Sequence, residues 1–293
     1  MRLNRLTIVA GLALLVAVVV VPLTLSSAGD TDLVSSSAIA KAARVTQKLP
    51  GETVSVDATI DVDGLDEPLE MHLEGVQDER GHSGRFAGEY ENFPEEVTGQ
   101  GSDGKVPIEI VSLAPDVYMK SRLFDSALPD GKSWLHLDLA AAGKKLGIGD
   151  PTQFGTSDPS ETLSDLEATS DRVERVGTEE VRGVSTTHYS ATIELRKLPA
   201  VVPAAKRASA RRKADKLIEV TGTDSYPVDV WIDKHHLVRR VQVSLKMKIP
   251  PQEASMHMDL TTEMYDFGPK PKAKRPPASE TVDAAKLAAG ATP

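Results

Sequence analysis

The chain of 293 residues contains no cysteine, and this absence excludes several kinds of chemistry. Without cysteine, a protein has no disulfide framework, no thiol nucleophile, no iron–sulfur cluster and no lipid-modified cysteine as a membrane anchor. Aromatic residues are scarce as well, with five Phe, five Tyr and two Trp. So few large rings are a weak sign that a wide sheet would not be completely filled by the protein's own side chains.

An excess of basic residues is also lacking, because 34 Lys and Arg stand against 43 Asp and Glu, for a formal net charge of −9. Nucleic-acid binding depends on basic surfaces that neutralise phosphates. We therefore predict that the protein has no nucleic-acid partner.

Recognisable catalytic and metal-binding motifs are missing too. The seven histidines are scattered, and the adjacent His235 and His236 lie in a predicted turn, where solvated side chains are the simpler interpretation. A zinc site requires three or four converging ligands. No GxSxG motif supports a hydrolase with His188 in its active site. A glycosidase needs two carboxylates that face each other, and the sequence does not identify such a pair among its 43 acidic residues. We predict a protein that is not an enzyme and has no metal and no cofactor.

The first 28 residues contrast with the rest of the chain. An apolar run of 20 residues, Leu6–Leu25, follows Arg2 and Arg5 and leads to small residues that end at Ala28. This pattern is typical of an export signal cleaved after Ala28, and the run is also long enough to remain as a membrane anchor. Both interpretations place the remainder outside the cytoplasm, either membrane-anchored or secreted.

Beyond Ala28, alternation of apolar and polar residues predicts a meandering antiparallel sheet with a few helices. Helices are predicted at Ser35–Leu49, at Ser157–Ala168 and in the basic stretch 203–219. The predicted strands cover residues 54–62, 69–75, 106–113, 114–121, 133–139, 172–177, 184–195, 226–233, 237–249 and 254–267. Residues 29–268 therefore form the predicted folded domain. The Pro/Lys/Ala-rich tail, 269–293, has too little apolar content and is predicted to be disordered.

The last three predicted strands carry apolar residues on one face and polar residues on the other. Such strands belong to an antiparallel sheet with one covered side. Six of the seven methionines lie in predicted strands or at their ends. Methionine fills ordinary cores, and it also recurs on surfaces that accommodate varied apolar partners. A filled core and a sheet curved around an apolar ligand both remain open on this evidence.

Three stretches taken together resemble a known family. They are YMKSRLFDSALPDGKSWLHLDL (118–139), SDPSETLSDLEATSDRVERVGTEEVRGVSTTHYSATIEL (157–195) and YPVDVWIDKHHLVRRVQVSL (226–245). Their order and spacing resemble the actinobacterial LppX/LprG-type lipoproteins of the LolA/LolB-like superfamily. The resemblance covers roughly residues 33–268, and its most specific parts are VDVWID–turn–LVRR and VRGVxTTHY.

The resemblance implies an α+β fold, a strongly curved antiparallel β half-barrel with helices packed on or in its open face. Proteins of this type hold acyl chains or lipoglycans in an apolar cavity and carry them through the cell envelope, without catalysis. The present chain departs from the pattern in two places. It has no cysteine for lipid attachment, and the turn 233–236 lacks the usual glycine. Asp and His tolerate a positive φ better than most residues, so the turn can form without it.

Candidate cavity residues follow from the alternation, since burial of their apolar surface would drive the binding of acyl chains. The residues predicted to line the cavity are Leu69, Met71, Val228, Val230, Val243, Leu245, Met247, Met258 and Leu260. Loop 121–132 and helix 203–219 are predicted to open and close it.

The basic stretch supplies candidate contacts to a membrane surface. Basic residues attract anionic lipid head groups, although a solvated charged helix face explains the same pattern. The candidate head-group residues are Lys206, Arg207, Arg211, Arg212 and Lys213.

Two functions are therefore open. The first is a monomeric envelope carrier of acyl lipid or lipoglycan that also contacts the membrane surface. The second is a membrane-tethered sensor or interaction module that binds another envelope protein. Retention of Leu6–Leu25 as an anchor favours the sensor, because a tethered domain does not shuttle freely, and cleavage favours the carrier.

Overall fold

The computed structural model describes residues 36–46, 48–78, 83–98, 103–125, 127–141, 173–201, 207–249 and 254–290. The predicted export segment, with its cleavage site at Ala28, and the predicted helix Ser157–Ala168 lie outside these residues. None of the helices within the described ranges is long and apolar enough to cross a membrane.

Twelve strands form one open, mostly antiparallel sheet in the order β12-β6-β5-β4-β3-β2-β1-β11-β10-β9-β8-β7. The strands are β1 (Gly51–Val62), β2 (Leu69–Asp78), β3 (Ser83–Glu91), β4 (Val106–Leu113), β5 (Asp116–Ser121), β6 (Trp134–Asp138), β7 (Val173–Val181), β8 (Val184–Glu194), β9 (Ser225–Asp233), β10 (Val238–Ile249), β11 (Ala254–Tyr265) and β12 (Thr281–Asp283). The β12–β6 pair is parallel, and the other neighbours are antiparallel. The large antiparallel sheet predicted from the alternation is confirmed.

The described helices are few and mostly short. They are α1 (Ser36–Thr46), α2 (Glu95–Thr98), α3 (Leu198–Val201), α4 (Arg207–Thr221) and α5 (Ala284–Gly290), with 3-10 turns at Arg122–Phe124, Leu195–Lys197 and Ala278–Glu280. The first predicted helix corresponds to α1, and the predicted basic helix corresponds to α4.

Register explains why one face of the sheet is apolar. On β1, Ala58 lies opposite Met71 of β2 and Leu260 of β11. Because side chains alternate along each strand, every second residue of these three strands points to the same side. We call this side the apolar face and the opposite side the polar face.

Glycines permit an unusually close approach of β2 and β3. A Cβ placed on Gly88 would overlap the carbonyl oxygen of His72, and one on Gly75 would overlap that of Arg85. Gly88 lies opposite Leu73, and Gly75 lies opposite Phe86, so both glycines occupy positions in the apolar row. A larger residue at either position would push the two strands apart.

The turn between β9 and β10 forms without glycine, as predicted. His236 adopts a φ of 61°, in the left-handed region. Asp233 stabilises the turn because its Oδ1 accepts hydrogen bonds from the backbone N–H groups of His235, at 2.8 Å, and Leu237, at 2.9 Å. Burial raises the pKa of this carboxyl, but the N–H groups and Arg239 together hold it below its ordinary value.

The C-terminal tail corrects the sequence prediction, because residues 269–290 are not disordered. The Ala273 N–H donates to Ser83 Oγ at 2.9 Å, and the Ser133 N–H donates to the carbonyl oxygen of Glu280 at 2.9 Å. The tail then forms β12 beside β6. Its low apolar content misled the prediction because the tail needs no core of its own. Backbone and polar groups attach it to the sheet, and its apolar residues Val282, Ala284 and Leu287 pack against the core that the sheet already provides.

Candidate functional site

The apolar face extends across most of the sheet as two neighbouring clusters of buried side chains. One cluster spans β1 to β6 and β11, and the other spans β9 and β10 together with α1. Leu245 and Met264 pack against both clusters and connect them. The face is therefore continuous from β6 to β9.

Most of the predicted lining residues lie on this face and are buried. Fully buried members are Leu69, Met71, Val228, Val230, Val243, Met258 and Leu260. Leu245 is partly buried, and Met247 pairs with Met256 on the neighbouring strand, although its side chain lies outside the described part of the chain. The structure brings these positions together, and their contact with a ligand stays a prediction.

Several short segments pack against the apolar face. Ile39 and Ala42 of α1 lie on the part formed by β9 and β10. Phe124 and Leu128, from the loop predicted to open and close the cavity, pack on the other part together with Leu287 of α5. The loop is also held by the tail, because the Lys132 Nζ donates to the carbonyl oxygen of Ser279 at 2.9 Å.

Tyr90 of β3 was not predicted as a site residue. Its side chain is only 1% exposed and lies on the apolar face, between Met71 and Val106 in register. Burial raises the pKa of its phenol. Phe86, Gly88 and Tyr90 are every second residue of β3 and lie on its apolar side. Because the middle one is glycine, the alternation of apolar and polar residues that would predict this strand is interrupted in the sequence.

The polar face carries a cluster centred on His188 near one end of the sheet. The His188 ring stacks on Trp231 at 4.1 Å between centroids, with Nδ1 3.0 Å from Glu179 Oε1 and Nε2 2.8 Å from Asp229 Oδ1. Trp231 Nε1 donates to Glu179 Oε2 at 2.9 Å. This bond, followed by that of His188, holds the pKa of Glu179 below its ordinary value. The Arg240 guanidinium lies 5.2 Å from the Trp231 ring.

A second cluster, centred on His136, lies near the other end. The His136 ring stacks on Tyr118 at 4.9 Å, with Nε2 2.7 Å from Asp116 Oδ1 and Nδ1 3.2 Å from Asp283 Oδ2. Arg275 of the tail lies 5.4 Å from the Tyr118 ring and pairs with Asp116 at 2.9 Å. Both clusters consist of side chains on the polar face that stack on one another and make polar contacts with one another.

The polar face also has a shallow depression near the middle of the sheet, lined by acidic side chains. There, His72 Nδ1 lies 2.6 Å from Asp57 Oδ1, and both side chains are more than half exposed. No group of three or more His, Cys, Asp or Glu able to hold a metal ion occurs within the described ranges. These carboxylates are solvated surface groups.

Helix α4 places three of the five candidate head-group residues on the surface. Arg207, Arg211 and Arg212 are exposed, whereas Ala214 is 2% exposed and packs inward. Lys206 and the side chain of Lys213 lie outside the described part of the chain.

No family model matches the chain, and individual Streptomyces proteins are similar to part of it. An uncharacterized 31.2 kDa protein of the rplA–rplJ intergenic region of Streptomyces griseus is 31% identical over 171 residues, 56% of this chain and 52% of that protein. A Streptomyces coelicolor protein named "Putative lipoprotein" is 26% identical over 163 residues, 54% of this chain and 45% of that protein. The chain thus spans about half the length of the curated relatives it matches.

Among solved structures, the lipoprotein LppX of Mycobacterium tuberculosis is 16% identical with a TM-score of 0.47, over 83% of this chain and 100% of that one. LprF of Mycobacterium bovis is 14% identical with a TM-score of 0.42, over 85% and 99%. The chain is similar to LppX, to LprF and to a Streptomyces protein named "Putative lipoprotein".

Proposed function

We propose that the protein is an exported cell-envelope protein that binds the acyl chains of a lipid or lipoglycan against its apolar face, for carriage or transfer. The observation that carries this proposal is a continuous apolar face on an open sheet of twelve strands. In this proposal the sheet curves into a half-barrel, and the helices and loops cover its open side.

The cover of this face supports the proposal. Three of the described segments that pack on it are short: the 11-residue α1, a 3-10 turn of three residues and the seven-residue α5. The 15-residue α4 also contacts β10. Apolar surface that leaves water contributes roughly 25 cal/mol per Å², so an acyl chain would be stabilised wherever these segments move aside. Short covering segments are displaced at lower cost than a long, deeply packed helix.

Direct detection of the ligand tests the proposal. Residues 29–293, produced with export and purified without detergent, would be measured by native mass spectrometry, followed by organic extraction and lipid analysis. We expect a monomer that carries a stoichiometric acyl lipid. A ligand-free mass, with no uptake from added lipid vesicles, would contradict the proposal and favour a filled core and a protein partner.

A matched pair of variants makes the test site-specific. Leu245→Trp adds a large ring on the apolar face, at a position that is only partly buried. Lys246→Trp adds the same ring to the next residue of β10, which is exposed on the polar face. We expect Leu245→Trp to reduce the lipid-bound fraction and Lys246→Trp to leave it unchanged.

We also propose that α4 contacts anionic lipid head groups through Arg207, Arg211 and Arg212. Each basic residue near such a surface contributes about 1 kcal/mol, so replacing all three with Gln should weaken vesicle binding by about 3 kcal/mol. The control replaces Arg85, Lys234 and Lys246, exposed basic residues elsewhere, with Gln, which changes the net charge equally. Equal binding of the two triple variants at low salt would contradict the role of α4.

The attachment of the protein to the envelope is a separate proposal, since it concerns residues 1–28. Either Leu6–Leu25 remains as an anchor, or cleavage near Ala28 releases the domain. The intact mass of the exported protein distinguishes the two, because cleavage removes 28 residues.

A further inference from the structure

Tyr90 carries a hydroxyl group whose surroundings point to a ligand. Among the described residues, its Oη is the buried side-chain polar atom without a hydrogen-bond partner. The ring itself is well packed, because Phe93 contacts it edge-on with centroids 5.7 Å apart and ring planes at 89°. Met71 and Val106, its neighbours in register, are 3% and 0% exposed. The aromatic ring is therefore explained by packing, and the hydroxyl is not.

A buried hydroxyl without a partner destabilises the folded state, because it gives up its hydrogen bonds to water and gains none. Phenylalanine would provide the same ring without this cost. A single water molecule is a poor explanation, since buried waters usually bond to two to four polar groups. The two residues opposite Tyr90 in register, Met71 and Val106, are apolar and offer no side-chain hydrogen bond to such a water.

Burial of the Tyr90 hydroxyl limits the kind of ligand group that it can bind. Burial raises the pKa of the phenol, so it remains protonated and acts as a hydrogen-bond donor. A charged phosphate or carboxylate would lose its hydration there without a cation to compensate for it. A neutral carbonyl oxygen accepts one hydrogen bond and has a far lower desolvation cost. Ester-linked acyl lipids carry such an oxygen at the start of each chain.

We infer that the Tyr90 hydroxyl donates a hydrogen bond to an ester carbonyl oxygen of the bound acyl lipid and fixes the depth at which the chain enters the apolar face. This inference rests on the proposed lipid binding and adds the ester linkage as a recognised group. Tyr90 would then favour ester-linked over ether-linked lipids of the same length.

The test compares two probes and two proteins. The probes are dipalmitoyl phosphatidylglycerol and its dihexadecyl diether analogue, which lacks both carbonyl oxygens. We expect the wild-type protein to bind the diester about five- to tenfold more tightly, as a net hydrogen bond allows. Tyr90→Phe should bind both probes with the weaker affinity. Its ligand-free form should have a raised Tm, because the unpaired hydroxyl is gone.

A control and three outcomes keep the result interpretable. Tyr118→Phe removes a hydroxyl from a buried tyrosine on the polar face of β5 and should leave the preference for the diester unchanged. Equal binding of both probes by the wild type would overturn the role of Tyr90 while leaving lipid binding intact. A diester preference that survives in Tyr90→Phe would do the same. If the wild type binds neither probe, the proposed lipid binding fails, and the Tyr90 inference fails with it.

Discussion

His136 and His188 lie near opposite ends of the sheet, on β6 and β8, and their surroundings are alike in detail. Each ring bridges two carboxylates and stacks on an aromatic ring, with centroids 4.9 Å apart for His136 and 4.1 Å apart for His188. In each case an arginine guanidinium lies over the same aromatic ring, at 5.4 Å and 5.2 Å.

The two clusters differ in the parts of the chain that they join. The His188 cluster is formed mainly by β7, β8 and β9, and the Glu179–Trp231 hydrogen bond spans 52 residues. The His136–Asp283 contact spans 147 residues and reaches a strand of only three. The same chemistry therefore consolidates neighbouring strands at one end and attaches the C-terminal tail at the other. Disruption of the first should weaken the whole fold, and disruption of the second should release the tail.

The largest effect is expected at Trp231, which is 4% exposed. Trp231→Ala removes a buried ring and the hydrogen bond to Glu179, and it should lower the free energy of unfolding by about 3–5 kcal/mol. Chemical denaturation followed by circular dichroism measures this loss. Trp231→Phe keeps most of the packing and should cost clearly less. Equal losses of unfolding free energy in the two variants would show that packing of an aromatic ring at position 231 does not stabilise this end of the sheet.

Removal of the tail should affect only the other end. The protein's two tryptophans divide between the ends, since Trp134 packs with Val111 and Tyr118 under Ala273 of the tail. Deletion of residues 270–293 should expose Trp134 to water and shift its emission to the red, measured in a Trp231→Phe background. The same deletion in a Trp134→Phe background should leave Trp231 emission unchanged. A shift of Trp231 would mean that the two ends are coupled.

The difference between the ends also determines what the sequence could predict. The strands of the His188 end follow from alternation and tight turns, because those signals are local, as at Arg182 and Gly183 between β7 and β8. The attachment of the tail depends on His136, far away in the chain, and no local pattern records such a contact. Tyr90 was missed for a related reason, because an unpaired hydroxyl is a property of the packed interior.

A smaller effect is expected from the histidines themselves. His136→Gln weakens the contact with Asp283, so the tail should open more often and trypsin should cleave faster after Lys272 and Lys274. The global free energy of unfolding should change little. His188→Gln should show the reverse, a loss of about 1 kcal/mol without faster cleavage of the tail. Mass spectrometry of timed digests identifies the cleaved bonds, and equal cleavage in both variants would contradict the division of roles.

The smallest effect is expected on acidification, and it should appear first at the His188 end. The hydrogen bonds from Trp231 and then His188 lower the pKa of Glu179, whose ordinary value is 4.5. For Asp283, burial raises the pKa from its ordinary 3.8, but the Ala285 N–H and His136 reverse this and lower it overall. A carboxyl whose pKa is lowered by folding stabilises the protein above its unfolded pKa and loses that contribution as the pH falls toward the folded value.

Because the ordinary pKa of Glu is the higher of the two, the contribution of Glu179 should begin to fall near pH 4.5 and that of Asp283 only near pH 3.8. Denaturation between pH 6 and pH 3 should therefore show a shallower loss of stability in Glu179→Gln than in the wild type. Asp283→Asn should instead remove the pH dependence of Trp134 emission. If the emission of Trp134 changes at a higher pH than that of Trp231, groups other than the His136–Asp283 pair hold the tail. The two clusters would then share their geometry but not their contribution to stability.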